Sequence, residues 1–161
     1  GKELVRLLKP FNCNILACDV KDYPEFYAIN DVTPVSFDEL LDRSEVLTLH
    51  LPKTRATRGL YSRVVLERLR PDCVLINTCR GEIVDEDALA DRLEAGALMG
   101  ACFDVFAIEP AENYRLLNLP NFLAAPHIGA STEETRIAMV NSAIRGLTEN
   151  ELVDPAKYYE N

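Results

Sequence analysis

Short apolar runs alternate with amphipathic, helix-like segments along the whole chain, which is the pattern of a parallel sheet covered by helices. The runs Asn14–Cys18, Val46–Leu49, Cys73–Asn77, Leu98–Val105 and Phe122–Ala125 read as strands. None of them alternates cleanly between apolar and polar residues, so both faces of the sheet are expected to be buried. Between the strands, Ser36-Phe37-Asp38-Glu39 is a capping box, and Phe37, Leu40 and Leu41 then mark one apolar helix face that ends near Arg43. Ser62 opens a second helix, with Val65, Leu66 and Leu69 facing inward and Pro71 ending it. Asp85 can cap a third over Glu86–Ala95, which Gly96 closes. The last helix begins at the capping box Ser131-Thr132-Glu133-Glu134. Its Ile137, Val140, Ile144 and Leu147 recur at helical spacing, so it is expected to lie along the sheet.

The 161 residues are 48% hydrophobic, enough for one domain with a real core, placed at 1–150 and followed by a polar tail at 151–161. A net charge of -9 without any run of Lys and Arg gives phosphate-backbone binding nothing to work with, so no nucleic-acid partner is expected. No apolar stretch approaches the roughly 20 residues of a spanning helix, and the N-terminus lacks the layout of a signal peptide, so no membrane partner is expected. Cys13, Cys18, Cys73, Cys79 and Cys102 are scattered and odd in number, which fits a reducing cytoplasm. With only His50 and His127 beside them, no metal site is expected.

Three polar residues come after strand candidates: Arg80 in Asn77-Thr78-Cys79-Arg80-Gly81, Glu109 in Asp104–Pro110, and His127 in Pro126-His127-Ile128-Gly129. Strands of an open parallel sheet bring their carboxyl ends to one rim, where a guanidinium, a carboxylate and an imidazole can form a single acid-base site. The plainer alternative is a turn arginine, a capping glutamate and a satisfied loop histidine. At the other end of the chain, Gly1, an amphipathic helix with Leu4, Val5, Leu7 and Leu8, and a strand ending at Cys18-Asp19 match the portion of a dinucleotide-binding unit beyond the last glycine of G-x-G-x-x-G. The predicted fold is therefore α/β, a Rossmann-like doubly wound parallel sheet in three layers, lacking its first strand and glycine loop. Asp19 falls where a carboxylate accepts hydrogen bonds from ribose hydroxyls and repels a 2'-phosphate, which favours NAD over NADP.

These segments, together with His50-Leu51-Pro52, Ile83-Val84-Asp85-Glu86 and Gly129-Ala130-Ser131-Thr132, resemble the D-isomer-specific 2-hydroxyacid dehydrogenases over nearly the whole chain and in the family's order. The resemblance implies a catalytic triad. Arg80 would hold the carboxylate of a small 2-hydroxy or 2-keto acid, a task suited to a planar fork. His127 would be the general acid-base, and Glu109 the carboxylate that favours its imidazolium form. Glutamine would be expected at position 109 in a formate dehydrogenase, so Glu109 points to hydroxy-acid chemistry.

By the same resemblance, Asp104 orients the nicotinamide carboxamide, Thr78 and Cys79 line the nicotinamide pocket beside Arg80 and His127, Leu51 and Pro52 pass the adenosine side, and Gly129 and Ala130 approach through their backbone. His50 receives no catalytic role. The family further implies a substrate-binding domain beyond the tail, a cleft active site between the domains, little turnover by this chain alone, and a homodimer. Two other readings stay open at this point. An NAD(H)-sensing corepressor-like module shares the fold and triad, and a thiol hydrolase could use Cys79 with His127.

Overall fold

The structure is a computed structural model that describes residues 1–149. Strands β3 (Val46–Leu49), β4 (Val74–Asn77), β5 (Gly100–Phe103) and β6 (Phe122–Ala124) form a parallel sheet in that order. Strands β1 (Ile15–Ala17) and β2 (Val32–Pro34) pair in parallel as a separate sheet. In the doubly wound order the first strand lies between the second and the fourth. The separation of β1 from β3 therefore falls where the expected first strand belongs.

Local chemistry sets the helices, α1 (Lys2–Leu8), α2 (Pro24–Asn30), α3 (Phe37–Arg43), α4 (Arg63–Glu67), α5 (Glu86–Glu94), α6 (Tyr114–Leu117) and α7 (Glu133–Thr148). The Ser36–Glu39 capping box forms in both directions: the Glu39 amide donates to Ser36 Oγ at 3.2 Å and the Ser36 amide to Glu39 Oε2 at 3.0 Å. Asp85 caps α5 by accepting the Ala88 amide at 3.0 Å, and Gly96 closes that helix at φ +63°, a left-handed value that costs glycine little.

Other expectations need correcting. α4 stops at Glu67, and the Ser62 side chain makes no capping bond. α7 is capped by Thr132, which accepts the Thr135 amide at 3.2 Å, one residue later than the predicted box at Ser131. The tail at 151–161 lies outside the described residues. Helix α6 and strand β2, not expected from the pattern, are too short to show a period, and α2, also not expected, begins after Tyr23 without a side-chain cap. Pro24 nonetheless starts α2 with the φ a first turn needs.

The core lies on one face of the four-stranded sheet. Leu41 of α3, Leu66 of α4, Leu89 and Leu93 of α5, and Leu116 of α6 pack with Leu47, Leu49, Leu75, Ala101, Phe103 and Phe122 of the strands. Phe103 meets Phe122 edge-on, with ring centroids 5.4 Å apart, and is tilted against Phe106 at 6.3 Å. The intervening strand residues, such as Val74, Ile76 and Cys102, are only half-buried, and Val46 and Leu123 are exposed. The two faces are thus unequal, contrary to the expectation of two buried ones. Residue for residue, β3 and β4 do alternate in burial, but their apolar composition hides it.

Nor does α7 lie along the sheet. Its Ile137, Val140 and Ile144 are each more than half exposed, and α1 buries no residue. Phe103→Ala should therefore destabilise the fold by about 3–5 kcal/mol, whereas Val140→Ala should change it by less than about 0.5 kcal/mol. Urea denaturation of the two variants checks the contrast.

Candidate active site

Parallel register places the ends of the four strands in one row. Leu49 pairs with Asn77, Asn77 with Phe103, and Phe103 with Ala124. The next residues of each strand, beginning at His50, Thr78, Asp104 and Ala125, leave the sheet on the same rim. This rim carries every site residue predicted from the larger sheet.

The structure brings Glu109 and His127 together, with Glu109 Oε2 and His127 Nδ1 2.7 Å apart. The second carboxylate oxygen, Oε1, accepts the Phe106 amide at 3.0 Å, so the side chain is held at both ends. The His127 ring and the Phe106 amide, with a smaller contribution from the nearby Arg80 charge, hold the Glu109 carboxyl below the ordinary carboxylate range. An ionised carboxylate only accepts, so Nδ1 carries the proton and Nε2 is left for chemistry. Arg80 is exposed on the same rim, and its Nη1 donates to the Cys79 carbonyl at 2.6 Å.

His127 sits at φ +55°, a left-handed conformation that L-residues adopt at a cost. Asp104 stabilises it. Oδ1 accepts the Ile128 amide at 2.8 Å and Oδ2 the Gly129 amide at 2.9 Å, so one carboxylate clamps the two peptide groups just after the histidine. The Ser131 amide closes the turn onto the Ile128 carbonyl at 2.9 Å. Asp104, expected to face a carboxamide, thus places one amide on each oxygen, and each oxygen keeps a further lone pair. A Cβ on Gly129 would stand 2.9 Å from Asp104 Oδ2, so a side chain there would press on the clamp.

Two further contacts, not anticipated from the sequence, fix the loops that carry Arg80 and Glu109. At Gly81 a Cβ would lie 1.8 Å from the Phe106 carbonyl carbon, so the Arg80 loop and the Glu109 loop touch through bare backbone. Glu86 Oε1 accepts the Ala107 amide at 2.7 Å, bracing the Glu109 loop from the first turn of α5. Burial pushes the Glu86 carboxyl up, with the Asp87 charge adding to it and the Ala107 amide offsetting part. The position of these residues beside Arg80 and Glu109 in the motifs was the available signal, but a close backbone approach cannot be read from residue type alone.

Of the residues predicted to meet a cofactor, all but Asp19 follow strands of the larger sheet. Thr78 is exposed and Cys79 half-buried beside Arg80, with Leu51 and Pro52 after β3 and Gly129 and Ala130 after the histidine. Asp19 is exposed just past β1, where Oδ1 accepts the Lys21 amide at 3.0 Å. Gly1 lies against His50, 3.9 Å from its ring when a Cβ is built, which brings the start of α1 to the rim. His50 itself shares a hydrogen bond with Thr48 Oγ1 at 3.2 Å, as expected of a satisfied histidine. An exposed acceptor after β1, apolar residues after β3 and mixed polar groups after β4 suit a ribose, an adenosine and a nicotinamide in turn. Among the described residues no cluster of His, Cys, Asp and Glu gathers as a metal site.

A parallel sheet whose strands end on one polar rim defines a Rossmann-like α/β nucleotide-binding domain. The chain belongs to the D-isomer specific 2-hydroxyacid dehydrogenase family, whose NAD binding domain matches residues 1–129. It is 36% identical over 136 residues to D-3-phosphoglycerate dehydrogenase of Mycobacterium leprae, covering 84% of this chain and 26% of that protein. It is 35% identical over 147 residues to glyoxylate reductase of Thermococcus litoralis, covering 91% of this chain and 44% of that protein. The NAD-complexed D-isomer specific 2-hydroxyacid dehydrogenase of Lactobacillus delbrueckii ssp. bulgaricus superposes with a TM-score of 0.82 at 25% identity, over 92% of this chain and 50% of that one. The chain thus spans half or less of the length of each of these relatives.

Two outcomes test the loop architecture. Gly81→Ala should cost more than the about 1–3 kcal/mol of ordinary overpacking, because backbone rather than a flexible side chain must yield; a thermal melt measures it. Glu86→Gln should stabilise the fold at neutral pH. A carboxyl raised in the folded state binds more protons than its unfolded counterpart, so stability falls as pH rises above the ordinary glutamate value of 4.5. Glutamine keeps the acceptor for Ala107 and removes that fall, which denaturation at mildly acidic and neutral pH would reveal.

Proposed function

We propose that this chain is the coenzyme-binding part of an oxidoreductase that transfers hydride between NAD and a D-2-hydroxy acid or its 2-keto acid. The observation that carries this reading is the Glu109–His127 pair, 2.7 Å apart on the rim that also presents Arg80. NAD, when bound, supplies or takes the hydride. His127 Nε2 takes the substrate hydroxyl proton in oxidation and returns it in reduction, while Glu109 holds Nδ1 and steadies the imidazolium. Arg80 binds the substrate carboxylate through its fork, and two parallel charge-assisted bonds would orient the reacting carbon.

On the cofactor side, Asp19 takes the ribose hydroxyls, Leu51 and Pro52 flank adenosine, Thr78 and Cys79 line the nicotinamide pocket, and Gly129 and Ala130 approach it. Asp104 contributes by clamping the loop that bears His127. We assign residues 1–150 to this domain and 151–161 to a connection toward a substrate-binding domain carried elsewhere in a longer polypeptide. That domain would supply the side-chain selectivity.

The proposed compartment is the cytoplasm, in keeping with free thiols at Cys13, Cys18, Cys73, Cys79 and Cys102. Among the described residues no helix is long and apolar enough to cross a membrane. A homodimer is the proposed assembly, on the strength of the family resemblance, and light scattering would measure it. The acidic balance supports a small-molecule substrate over a nucleic acid.

In the longer protein, NADH consumption with glyoxylate, pyruvate or hydroxypyruvate tests the activity; binding of NADH without consumption of any keto acid would overturn it in favour of a sensing module. His127→Ala should lower reduction by about 10²–10⁴-fold with NADH affinity retained. Glu109→Gln should lower kcat for reduction with NADH affinity retained, because an amide can turn its own N–H toward Nδ1 and no longer fixes which ring nitrogen carries the proton. Arg80→Lys should fail chiefly in KM for the keto acid.

A further inference from the structure

Beneath the triad lies one polar side chain that touches none of the reacting groups. Asn77, at the carboxyl end of β4, is 0% exposed, and a buried amide is costly unless its donors and acceptors are met. They are met by the loop that carries Arg80. Oδ1 accepts the Cys79 amide at 3.1 Å and the Cys79 thiol at 3.1 Å, and Nδ2 donates to the Arg80 carbonyl at 3.0 Å. The Asn77 backbone carbonyl accepts the Asp104 amide at 3.0 Å, joining this loop to the strand that clamps His127.

We infer that Asn77 is a positioning residue that presets Arg80 for a substrate carboxylate before any substrate arrives, an inference that rests on the function proposed above. The amide spans the short loop 78–80 from inside, holding an N–H near its start and a carbonyl at its end. The guanidinium in turn folds onto the Cys79 carbonyl, so its resting place depends on the same loop. Only a side chain with a donor and an acceptor at this reach serves both ends. Aspartate would bring a charge and no donor to Arg80; serine would be too short to reach both. Leucine would fill the space and leave both backbone groups unpaired. Presetting matters because a bidentate contact has narrow geometry, and the ordering of an exposed arginine would otherwise be charged against substrate binding.

The test compares wild-type, Asn77→Asp and Asn77→Ser forms of the longer protein, with glyoxylate as substrate and oxamate as a carboxylate probe. We expect KM for glyoxylate and Ki for oxamate to rise about tenfold, the equivalent of about 1.4 kcal/mol. The kcat at saturation and the NADH affinity should stay within about twofold, the signature of lost ground-state binding. A fall in melting temperature with unchanged KM and Ki, or an equal loss of NADH affinity, would overturn the inference and leave Asn77 a folding residue. If neither variant folds, amide hydrogen exchange in the ligand-free wild type decides. Protection of the Cys79 amide comparable to that of Leu75 in β4 supports a preset loop; rapid exchange refutes it. A wild type that reduces no keto acid defeats the functional reading, and this inference with it, whereas a wild type that does so while both variants match it defeats the inference alone.

Discussion

The structure depends on a register. Val46, Val74 and Gly100 begin β3, β4 and β5 side by side, and Leu49, Asn77, Phe103 and Ala124 end the four strands in one row. Hydrogen bonding between parallel strands fixes that row, and a slip of one residue would exchange the buried and half-buried faces of a strand. It would also carry the residue after the strand to the wrong height. Glu109 and His127 are 18 residues apart in sequence, and Arg80 lies further back still. They can share a site because the ladder delivers β4, β5 and β6 to the rim together.

Register alone does not aim side chains, and the loops beyond it are irregular. Three contacts restrain them. The bare-backbone approach at Gly81 joins the Arg80 loop to Phe106, Glu86 fixes the Ala107 amide, and Asp104 holds the two amides after His127. The last of these bears on strain. A left-handed histidine costs about 1–3 kcal/mol and persists only where its surroundings over-determine it. Two charge-assisted bonds from a half-buried carboxylate are each stronger than a neutral hydrogen bond and suffice for that task. The conformation of His127 is thus sustained by a residue just past the neighbouring strand, so the histidine and its support fold as one unit.

Much of this was legible from the residues. Four strands of the larger sheet, the Ser36 and Asp85 caps, the Gly96 stop and the convergence of Glu109 with His127 come from apolar runs, capping chemistry and the behaviour of parallel sheets. The unequal faces did not. Val46, Val74, Ile76 and Leu123 are as apolar as the residues on the packed side, so composition cannot tell a covered face from an open one. Helical spacing at Ile137, Val140 and Ile144 correctly gave a helix but not what it packs against, since period defines a stripe and not its partner. The cap of α7 slipped by one residue because Ser131 and Thr132 are adjacent and equally able. Asp104 was legible as a polar residue at a strand end, while its engagement with Ile128 and Gly129 depends on a turn that only coordinates reveal.

Geometry and electrostatic strength have separate sources in this domain. The Glu109 and His127 side chains are 38% and 45% exposed, and an ion pair so open to water contributes only about 0–1 kcal/mol. The 2.7 Å contact therefore sets tautomer and direction more than energy. To stabilise charge developing on a substrate, the same pair needs a lower dielectric, and that requires water to be displaced from the rim. Nothing in the packed face can do this, because Leu49, Leu75 and Phe103 lie beneath the rim rather than over it. Under the function proposed above, the covering surface would come from bound coenzyme and from whatever closes above the row of strand ends. The chain supplies a polar row whose geometry is set by its own backbone, and on the proposed function closure would convert that arrangement into electrostatic strength.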